Sequence, residues 1–258
     1  EDITFRAVRT LKEVGLIAAE DTRRTVKLLN SLGIRTPLTS YFEHNKLTKL
    51  DYILNKLSET DVALVSDAGT PGIADPGYEL ISAAIERGFK VEVIPGPSSV
   101  VTAVALSGLP AAEFRFNAFL PRKASDKKAA LEKLAVETVA LVFFEAPHRL
   151  RKTLEALIAT LGDRRVAVCR ELTKLHEEVF RGSLSAALDH FVEPRGEFVI
   201  VVEGSRQAKA TPVLDDSVID QLGRLKSSGV PAKEATARLA AATGLSRREL
   251  YGAWLKLK

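Results

Sequence analysis

The chain has 258 residues, of which 46% are hydrophobic and 27% charged, a balance that is typical of a globular protein and excludes a wholly disordered one. No apolar run reaches the roughly 18 residues of a membrane-spanning helix, and the single cysteine, Cys169, excludes an intramolecular disulfide and a CxxC metal site. We expect Cys169 to be a buried structural thiol in a protein of the reducing cytoplasm.

The net charge is +4, and its distribution is uneven. From Ser205 onward ten lysines and arginines face five acidic residues, so the basic excess lies in the last fifth of the chain. Such an excess indicates either a polyanionic partner or a solvated helical surface.

Apolar runs alternate with amphipathic stretches along the chain. The predicted strands are Leu16–Ala19, Val62–Ser66, Val91–Ile94, Val139–Phe144, Val166–Arg170, Glu178–Arg181 and Phe198–Val202. The predicted helices are Phe5–Val14, Thr22–Leu32, Lys46–Leu57, Tyr78–Arg87, Ser98–Leu106, Lys127–Ala135, Leu150–Leu161 and Leu184–Phe191. Strands separated by helices of this length predict a parallel α/β architecture.

Composition divides this pattern into domains. We expect an N-terminal α/β domain over 1–110, a crossing between the halves over 111–126, and a second α/β domain over 127–204. The stretch SRQAKATPV after Gly204 predicts a linker, and residues 211–258 predict a small helical extension.

The loop SDAGTPGIADPG, residues 66–77, is the most informative motif. It follows a strand and precedes a helix, and its three glycines and two prolines predict a rigid loop whose backbone a ligand can approach closely. Ligands of open α/β sheets bind beyond the carboxyl ends of the strands, where Asp67 is expected. The loop matches neither GxGxxG nor a phosphate-binding P-loop.

Three further loops follow predicted strands. In IPGPSS, Ser98 and Ser99 can cap the next helix or donate hydroxyls to a ligand. In FFEAPHRL, Glu145 can act as a general base, bind a ribose hydroxyl or cap the next helix, and Arg149 can bind a phosphate or pair with Glu145 on the surface. In AAEDTRRT, Asp21 is an acid–base group or a helix N-cap.

The end of the chain predicts helix, TGLS turn and helix. Arg247 and Arg248 open the second helix, where a nucleic-acid reader carries its contacts. In the other interpretation the tail is a small bundle that packs on the preceding α/β domains through Leu250, Trp254 and Leu257, which are spaced as one helix face and form core rather than a binding face.

The order of these motifs, AAEDTRRT, SDAGTPGIADPGYEL, IPGPSS, FLPRK, FFEAPHRL, RELTKLHEE and GEFVIVVEG, resembles the tetrapyrrole-methylase-like group of S-adenosylmethionine-dependent enzymes. Within that group it is similar to the bacterial enzymes that methylate a ribose 2′-hydroxyl of 16S ribosomal RNA. The resemblance covers 1–204, and the helical tail is also similar. It implies a strand and a GNL loop ahead of EDIT that this sequence does not contain.

The resemblance implies two α/β domains of the tetrapyrrole methylase type, a homodimer, and a methyl donor bound between the domains. The residues expected at the donor are Asp67, Gly69, Thr70, Pro71, Gly72, Ile73, Ser98, Ser99, Phe144, Gly196 and Glu197. Because a sulfonium donor is already activated, no metal is expected. The expected proton acceptor is Glu145, with Asp21 or Asp67 in reserve.

The implied substrate is a cytidine of 16S ribosomal RNA in the small ribosomal subunit. The residues expected to hold its phosphates are Arg23, Arg24, Lys27, Arg122, Lys123 and Arg149. Two alternatives stay open at this point, a methyltransferase of the same fold that acts on a tetrapyrrole or another small molecule, and a non-catalytic nucleic-acid-binding protein.

Overall fold

The computed structural model describes residues 2–206 and 214–257, and it divides the chain into two compact units, residues 1–204 and 205–258. The predicted linker SRQAKATPV falls largely on residues 207–213, which lie outside the described residues.

The first unit contains two sheets with helices between their strands. Its strands are β1 (Leu16–Ala19), β2 (Leu38–Ser40), β3 (Val62–Val65), β4 (Phe114–Phe119), β5 (Ala140–Glu145), β6 (Arg165–Arg170), β7 (Glu178–Ser183) and β8 (Phe198–Val202). Its helices are α1 (Phe5–Glu13), α2 (Thr22–Ser31), α3 (Lys46–Leu57), α4 (Tyr78–Glu86), α5 (Ser99–Ser107), α6 (Ala124–Leu134), α7 (Pro147–Leu161) and α8 (Leu184–His190).

The first sheet is parallel, with strand order β2-β1-β3. The central strand β1 is buried along its whole length, because helices cover both of its faces. The register pairs Ala19 with both Ser40 and Val65, so the carboxyl ends of all three strands meet at one edge. The residues that follow these strands therefore lie close together.

The second sheet has the order β4-β5-β8-β6-β7 and is mixed. Only β4 and β5 are parallel, whereas β8 runs antiparallel between β5 and β6, and β7 runs antiparallel to β6. The expectation of parallel strands throughout was wrong here, because no helix connects β6 to β7 and a short connection requires antiparallel pairing. Its inner strands are buried and form the largest core cluster of the chain.

Two stretches of sequence were misassigned. Val91–Ile94 was predicted as a strand, but residues 89–98 lie outside any described helix or strand, and Val91 and Val93 are exposed. An alternating apolar pattern becomes a strand only when a neighbour completes the hydrogen bonds. The segment 111–126 was expected to be only a crossing, but it holds β4, whose alternating Phe114 and Phe116 were the overlooked signal.

The helix predictions were correct in position and differ mainly at the N-termini. Helix α7 begins at Pro147 rather than Leu150, since proline suits the first helical turn, and α6 begins at Ala124 rather than Lys127. Neither helix has a side-chain cap hydrogen bond that could have marked its start.

The second unit is a bundle of three helices, α9 (Asp216–Ser227), α10 (Ala232–Thr243) and α11 (Arg247–Lys256). Ser246 and Glu249 form a capping box at the start of α11, as their Ser-x-x-Glu spacing in the sequence predicts. Leu250 is fully buried in the bundle core, and Trp254 and Leu257 pack against that core, so these residues form core, as expected, rather than a binding face. Arg247 and Arg248 remain exposed.

Candidate active site

The edge where the strands of the first sheet end carries a group of carboxylates. Glu20 follows β1, and its Oε2 accepts a hydrogen bond from the backbone N–H of Asp67, which follows β3, at 3.1 Å. The Asp67 carboxylate in turn lies 3.2 Å from the guanidinium of Arg24 at the start of α2. The structure therefore brings the AAEDTRRT and SDAGTPGIADPG motifs, which both follow strands, together at one edge.

The loop 66–77 holds a backbone conformation that depends on glycine. Gly69 and Gly72 have φ of 73° and 82°, in the left-handed region, and a side chain at Gly69 would meet nothing within 4 Å. A Cβ at Gly77 would lie 2.8 Å from the backbone nitrogen of Gly72, so the end of the loop packs against its middle. The second half of the loop is therefore tightly folded, whereas its Gly69 side is open to an approaching ligand.

Asp75 is a carboxylate of this loop that the sequence analysis did not single out. Burial, together with the nearby negative charge of Glu20, raises the pKa of Asp75 to about 6. Asp75 lies three residues after Gly72, and this spacing gave no separate signal, because the carboxylate is half-buried only through the folding of the loop. The Asp75 carboxyl therefore changes its protonation state close to neutral pH.

Asp21 plays a different part from the other carboxylates. It is the N-cap of α2, where its side chain accepts a hydrogen bond from the backbone N–H of Arg23 at 2.9 Å, and the Arg23 guanidinium donates two more. These hydrogen bonds from Arg23 lower the pKa of Asp21 to about 2. An acid with so low a pKa is a weak proton acceptor, which favours the capping interpretation of Asp21.

Ser98 and Ser99 lie at the start of α5. Ser98 occupies the N-cap position, but its side chain makes no capping hydrogen bond. The capping interpretation of Ser98 is therefore wrong in detail, and its hydroxyl is left for another acceptor.

A second edge is formed where β4, β5 and β6 end and β8 begins. The register places Phe119 opposite Phe144, and Phe198 opposite both Glu145 and Arg170. It thereby gathers loops that lie far apart in the sequence.

Gly196 and Glu197 lie at this second edge, just before β8, and are tied to the loop after β6. The Glu197 N–H donates to Glu171 at 2.8 Å, and the Lys174 ammonium bridges the carboxylates of Glu171 and Glu197 at 3.1 and 2.8 Å. These contacts fix the backbone at Gly196, which adopts φ of 85°.

Glu145 lies at the second edge but inside the protein, where its side chain is 0% exposed. Thr153 donates to one carboxylate oxygen at 2.6 Å, and the other oxygen accepts from the Ala146 N–H at 2.9 Å and lies 3.2 Å from Nε of Arg149. Lys127 completes the buried network by donating to the Thr153 hydroxyl at 3.1 Å. Glu145, the residue expected to take the substrate proton, is therefore buried in this arrangement, and both of its carboxylate oxygens accept hydrogen bonds.

The cationic side chains expected to bind RNA differ in how far they are exposed to solvent. Arg23 and Arg24 pair with Asp21 and Asp67 but keep 88% and 67% of their side chains exposed. Lys27, Arg122 and Lys123 are exposed. Arg149 is the exception, since its guanidinium is only 17% exposed and its Nη2 donates to the Leu120 carbonyl at 2.6 Å. Arg149 therefore holds the chain before Arg122 rather than facing solvent.

The described residues contain no group of three His, Cys, Asp or Glu side chains that could hold a metal ion. No helix among them is long and apolar enough to span a bilayer. Cys169 lies buried in β6, as expected, and burial raises the pKa of its thiol to about 11.

Comparison with known proteins shows which family has these motifs. The family model of tetrapyrrole (corrin/porphyrin) methylases matches residues 1–188. A Halalkalibacterium halodurans protein named ribosomal RNA small subunit methyltransferase I is 45% identical over 257 residues, covering 97% of this chain and 89% of that protein. Proteins of the same name from Synechocystis and Thermotoga maritima are 43% and 48% identical and cover 100% and 79% of this chain, and 94% and 93% of their own lengths.

A solved structure confirms the fold. The crystal structure of the methyltransferase CobJ aligns with a TM-score of 0.59 at 19% identity, covering 81% of this chain and 91% of that one. At this identity the likeness supports the fold alone. From the matched model and the closely related sequences, the chain belongs to the tetrapyrrole (corrin/porphyrin) methylase family.

Proposed function

We propose that this protein is an S-adenosylmethionine-dependent methyltransferase that modifies the ribose 2′-hydroxyl of a cytidine in 16S ribosomal RNA. The observation that carries the proposal is the 45% identity to a protein named ribosomal RNA small subunit methyltransferase I, because the identity extends over nearly the whole chain, helical tail included.

The donor would bind at the glycine-rich loop of the first sheet and be closed in by the second edge. The open, left-handed backbone at Gly69 gives a ligand close access, and the carboxylates of this edge suit the positive charge of a sulfonium. The residues that would hold it are those expected from the sequence, namely Asp67, Gly69, Thr70, Pro71, Gly72, Ile73, Ser98, Ser99, Phe144, Gly196 and Glu197. When bound, the donor supplies an activated methyl group.

The chain's own part in the reaction is to hold the ribose hydroxyl in line and to accept its proton. Aligning the two reactants supplies much of the rate in reactions of this kind. We assign the proton to Asp75, whose carboxylate with a pKa of about 6 is ionised at neutral pH yet retains affinity for a proton. Asp67 is the reserve, whereas Asp21 and Glu145 are engaged in capping and in a buried network.

RNA would be held by exposed cations on both edges, namely Arg23, Arg24, Lys27, Arg122 and Lys123, with Arg247 and Arg248 of the tail as further contacts. Such contacts to phosphates give affinity that falls steeply with salt. The partner would be the small ribosomal subunit in the cytoplasm, and we propose a homodimer as the active form.

The test is a methyl-transfer assay with labelled S-adenosylmethionine. Small ribosomal subunits from cells that lack the protein are the substrate, and a porphyrin precursor is the parallel substrate that represents the small-molecule alternative. We expect label in 16S ribosomal RNA at a single cytidine, located by mass mapping, and none in the porphyrin. Label in the porphyrin alone, or in the base rather than the ribose, would contradict the proposal.

A further inference from the structure

The end of strand β4 contains a β-bulge that redirects one aromatic ring. The register with β5 shifts between Phe116 and Phe119, and Ala118 between them adopts φ of 51°. In a regular strand Phe116 and Phe119 would point to opposite faces, because side chains alternate. The extra residue brings them to the same face, where both rings contact Phe144, with centroids 5.0 and 5.6 Å away.

The Phe119 ring is open to solvent on one side. Phe119 is 50% exposed, whereas the next residue, Leu120, is 4% exposed and belongs to the core. Phe144 supports the inner side of the ring. A single exposed apolar residue is ordinary, so the charge around it decides what it can bind.

The residues after Phe119 are positively charged and held in place. Arg122 and Lys123 are exposed, and Arg122 has no hydrogen-bond or ion-pair partner within the described part of the chain. Arg149 anchors the stretch between the ring and these cations by donating to the carbonyl of Leu120 at 2.6 Å. An exposed ring backed by another aromatic, with two cations three and four residues away, has the composition of a single-stranded nucleic-acid contact.

We propose that Phe119 is a base-stacking residue, on which an unpaired base of the RNA substrate lies while Arg122 and Lys123 contact the flanking phosphates. The inference rests on the proposed function and adds to it a recognition element in β4. It also names the form of the substrate, an unpaired rather than a helical stretch, since a base stacks on a side chain only when it has left its own helix.

The adenine of the methyl donor is the competing occupant of the ring. The charge near Phe119 favours RNA over the donor, because Arg122 and Lys123 attract a polyanion and repel a sulfonium cation. The carboxylates that suit the donor lie instead at the end of the first sheet, at Glu20, Asp67 and Asp75.

The test compares Phe119→Leu, which removes the π-face but keeps an apolar side chain against Phe144, with the matched control Phe114→Leu on the same strand. Phe114 is 39% exposed at the opposite end of β4.

Binding is measured with small ribosomal subunits and with an unstructured oligoribonucleotide, and donor affinity is measured by calorimetry. We expect Phe119→Leu to weaken RNA binding roughly five- to a hundredfold. The slope of log affinity against log salt should stay unchanged, and so should the donor affinity.

The control Phe114→Leu should leave RNA affinity within about twofold of wild type. A second measurement does not depend on loss of binding. In the double variant Phe119→Trp, Trp254→Phe, the indole at position 119 is the only tryptophan, and RNA should quench its fluorescence while the affinity is preserved.

Unchanged RNA affinity in Phe119→Leu, or absence of quenching in the tryptophan variant, would overturn the stacking role. A loss of donor affinity instead of RNA affinity would assign the ring to adenine and overturn it equally. Binding that depends on Phe119 without any methylation of the RNA would count against the proposed function alone. A wild-type protein that binds no RNA would overturn both.

Discussion

The two sheet edges of the first unit differ in charge and in how they are built. The first edge is acidic and is shaped by the backbone of a glycine-rich loop, with Glu20, Asp67 and Asp75 gathered at the ends of β1 and β3. The second edge presents an aromatic ring and the cations Arg122 and Lys123, positioned by a buried side-chain network.

This difference separates two tasks. A small cation fits the acidic edge, where the backbone approaches closely, and a polyanion fits the basic one. If the separation is real, variants of the glycine-rich loop should change donor binding or chemistry and leave RNA affinity intact, and variants of Phe119, Arg122 and Lys123 should do the reverse.

The largest effect should come from Asp75→Asn. If Asp75 accepts the ribose proton, we expect kcat to fall at least about a hundredfold, because an amide cannot take up the proton. Donor affinity by calorimetry and RNA affinity should stay within about threefold. In the wild type, kcat should rise with pH up to about 6 and then level off, since Asp75 must be ionised to act.

Stability provides an independent readout of the same group. The pKa of Asp75 is raised in the folded state, so its ionisation opposes folding as the pH rises from about 4 to about 6. Asp75→Asn should therefore increase the free energy of unfolding at pH 8 by an amount on the order of 1 kcal/mol, after solvent screening is allowed for. Full kcat in this variant would move the assignment to Asp67.

Gly77→Ala should have the next largest effect and should act on the donor alone. The new Cβ would lie 2.8 Å from the Gly72 nitrogen and 3.1 Å from Cδ2 of Leu64, so the loop must open. We expect donor affinity to fall about tenfold or more by calorimetry, with RNA affinity unchanged. The control Gly33→Ala has φ of 65° and open space around it, and it should cost about 1 kcal/mol of stability without affecting the donor. Equal donor losses in both variants would mean that general strain is responsible.

The double variant Arg122→Ala, Lys123→Ala tests the basic edge. We expect RNA affinity to fall about tenfold at low salt, and the slope of log affinity against log salt to drop by roughly 1.4 for two lost contacts to a single strand. Donor affinity should not change. Lys128→Ala and Lys133→Ala, on the exposed surface of the neighbouring helix α6, are the matched controls. If the double variant had the same slope of log affinity against log salt as the control variants, the RNA would have to bind elsewhere on the protein.

The smallest effect on function should come from Thr153→Val, within the buried network. Loss of the hydroxyl removes the hydrogen bonds that Thr153 makes with Oε2 of Glu145 and with the ammonium of Lys127, which should cost about 1–3 kcal/mol in urea unfolding. Thr153→Ser keeps the hydroxyl and should recover most of that loss. Glu145 pairs with Arg149, and Arg149 holds the Leu120 carbonyl just before Arg122. We therefore expect KM for RNA to rise a few fold in the valine variant, with kcat unchanged. Similar stability of the valine and serine variants would show that the network contributes little.

The sequence was sufficient for features that depend on local pattern. The buried run LIAA, the glycine-rich loop and the capping box at Ser246 all follow from residue type and spacing, and the structure contains each of them. The grouping of strand-end residues at one edge also followed, because parallel neighbouring strands end together.

What could not be predicted depends on contacts distant in sequence. Val91–Ile94 has a strand pattern without strand pairing, and the edge strand β4 was hidden in a stretch rich in proline and charge. Glu145 is buried by contacts with Thr153 on helix α7 and Lys127 on helix α6. Asp75 is buried by the folding of its own loop. No spacing rule reports such surroundings, so the sequence neither indicated the burial of Glu145 nor singled out Asp75.

Ala118 has a consequence of its own. An alanine pays a conformational penalty of about 1–2 kcal/mol in the left-handed region, and the paired strand on one side and the anchored Leu120 on the other keep it there. The Phe119 side chain therefore already has its exposed conformation before a partner binds. Little chain entropy would be lost when RNA docks, so the encounter rate should follow diffusion and electrostatic attraction rather than a slow rearrangement of the protein.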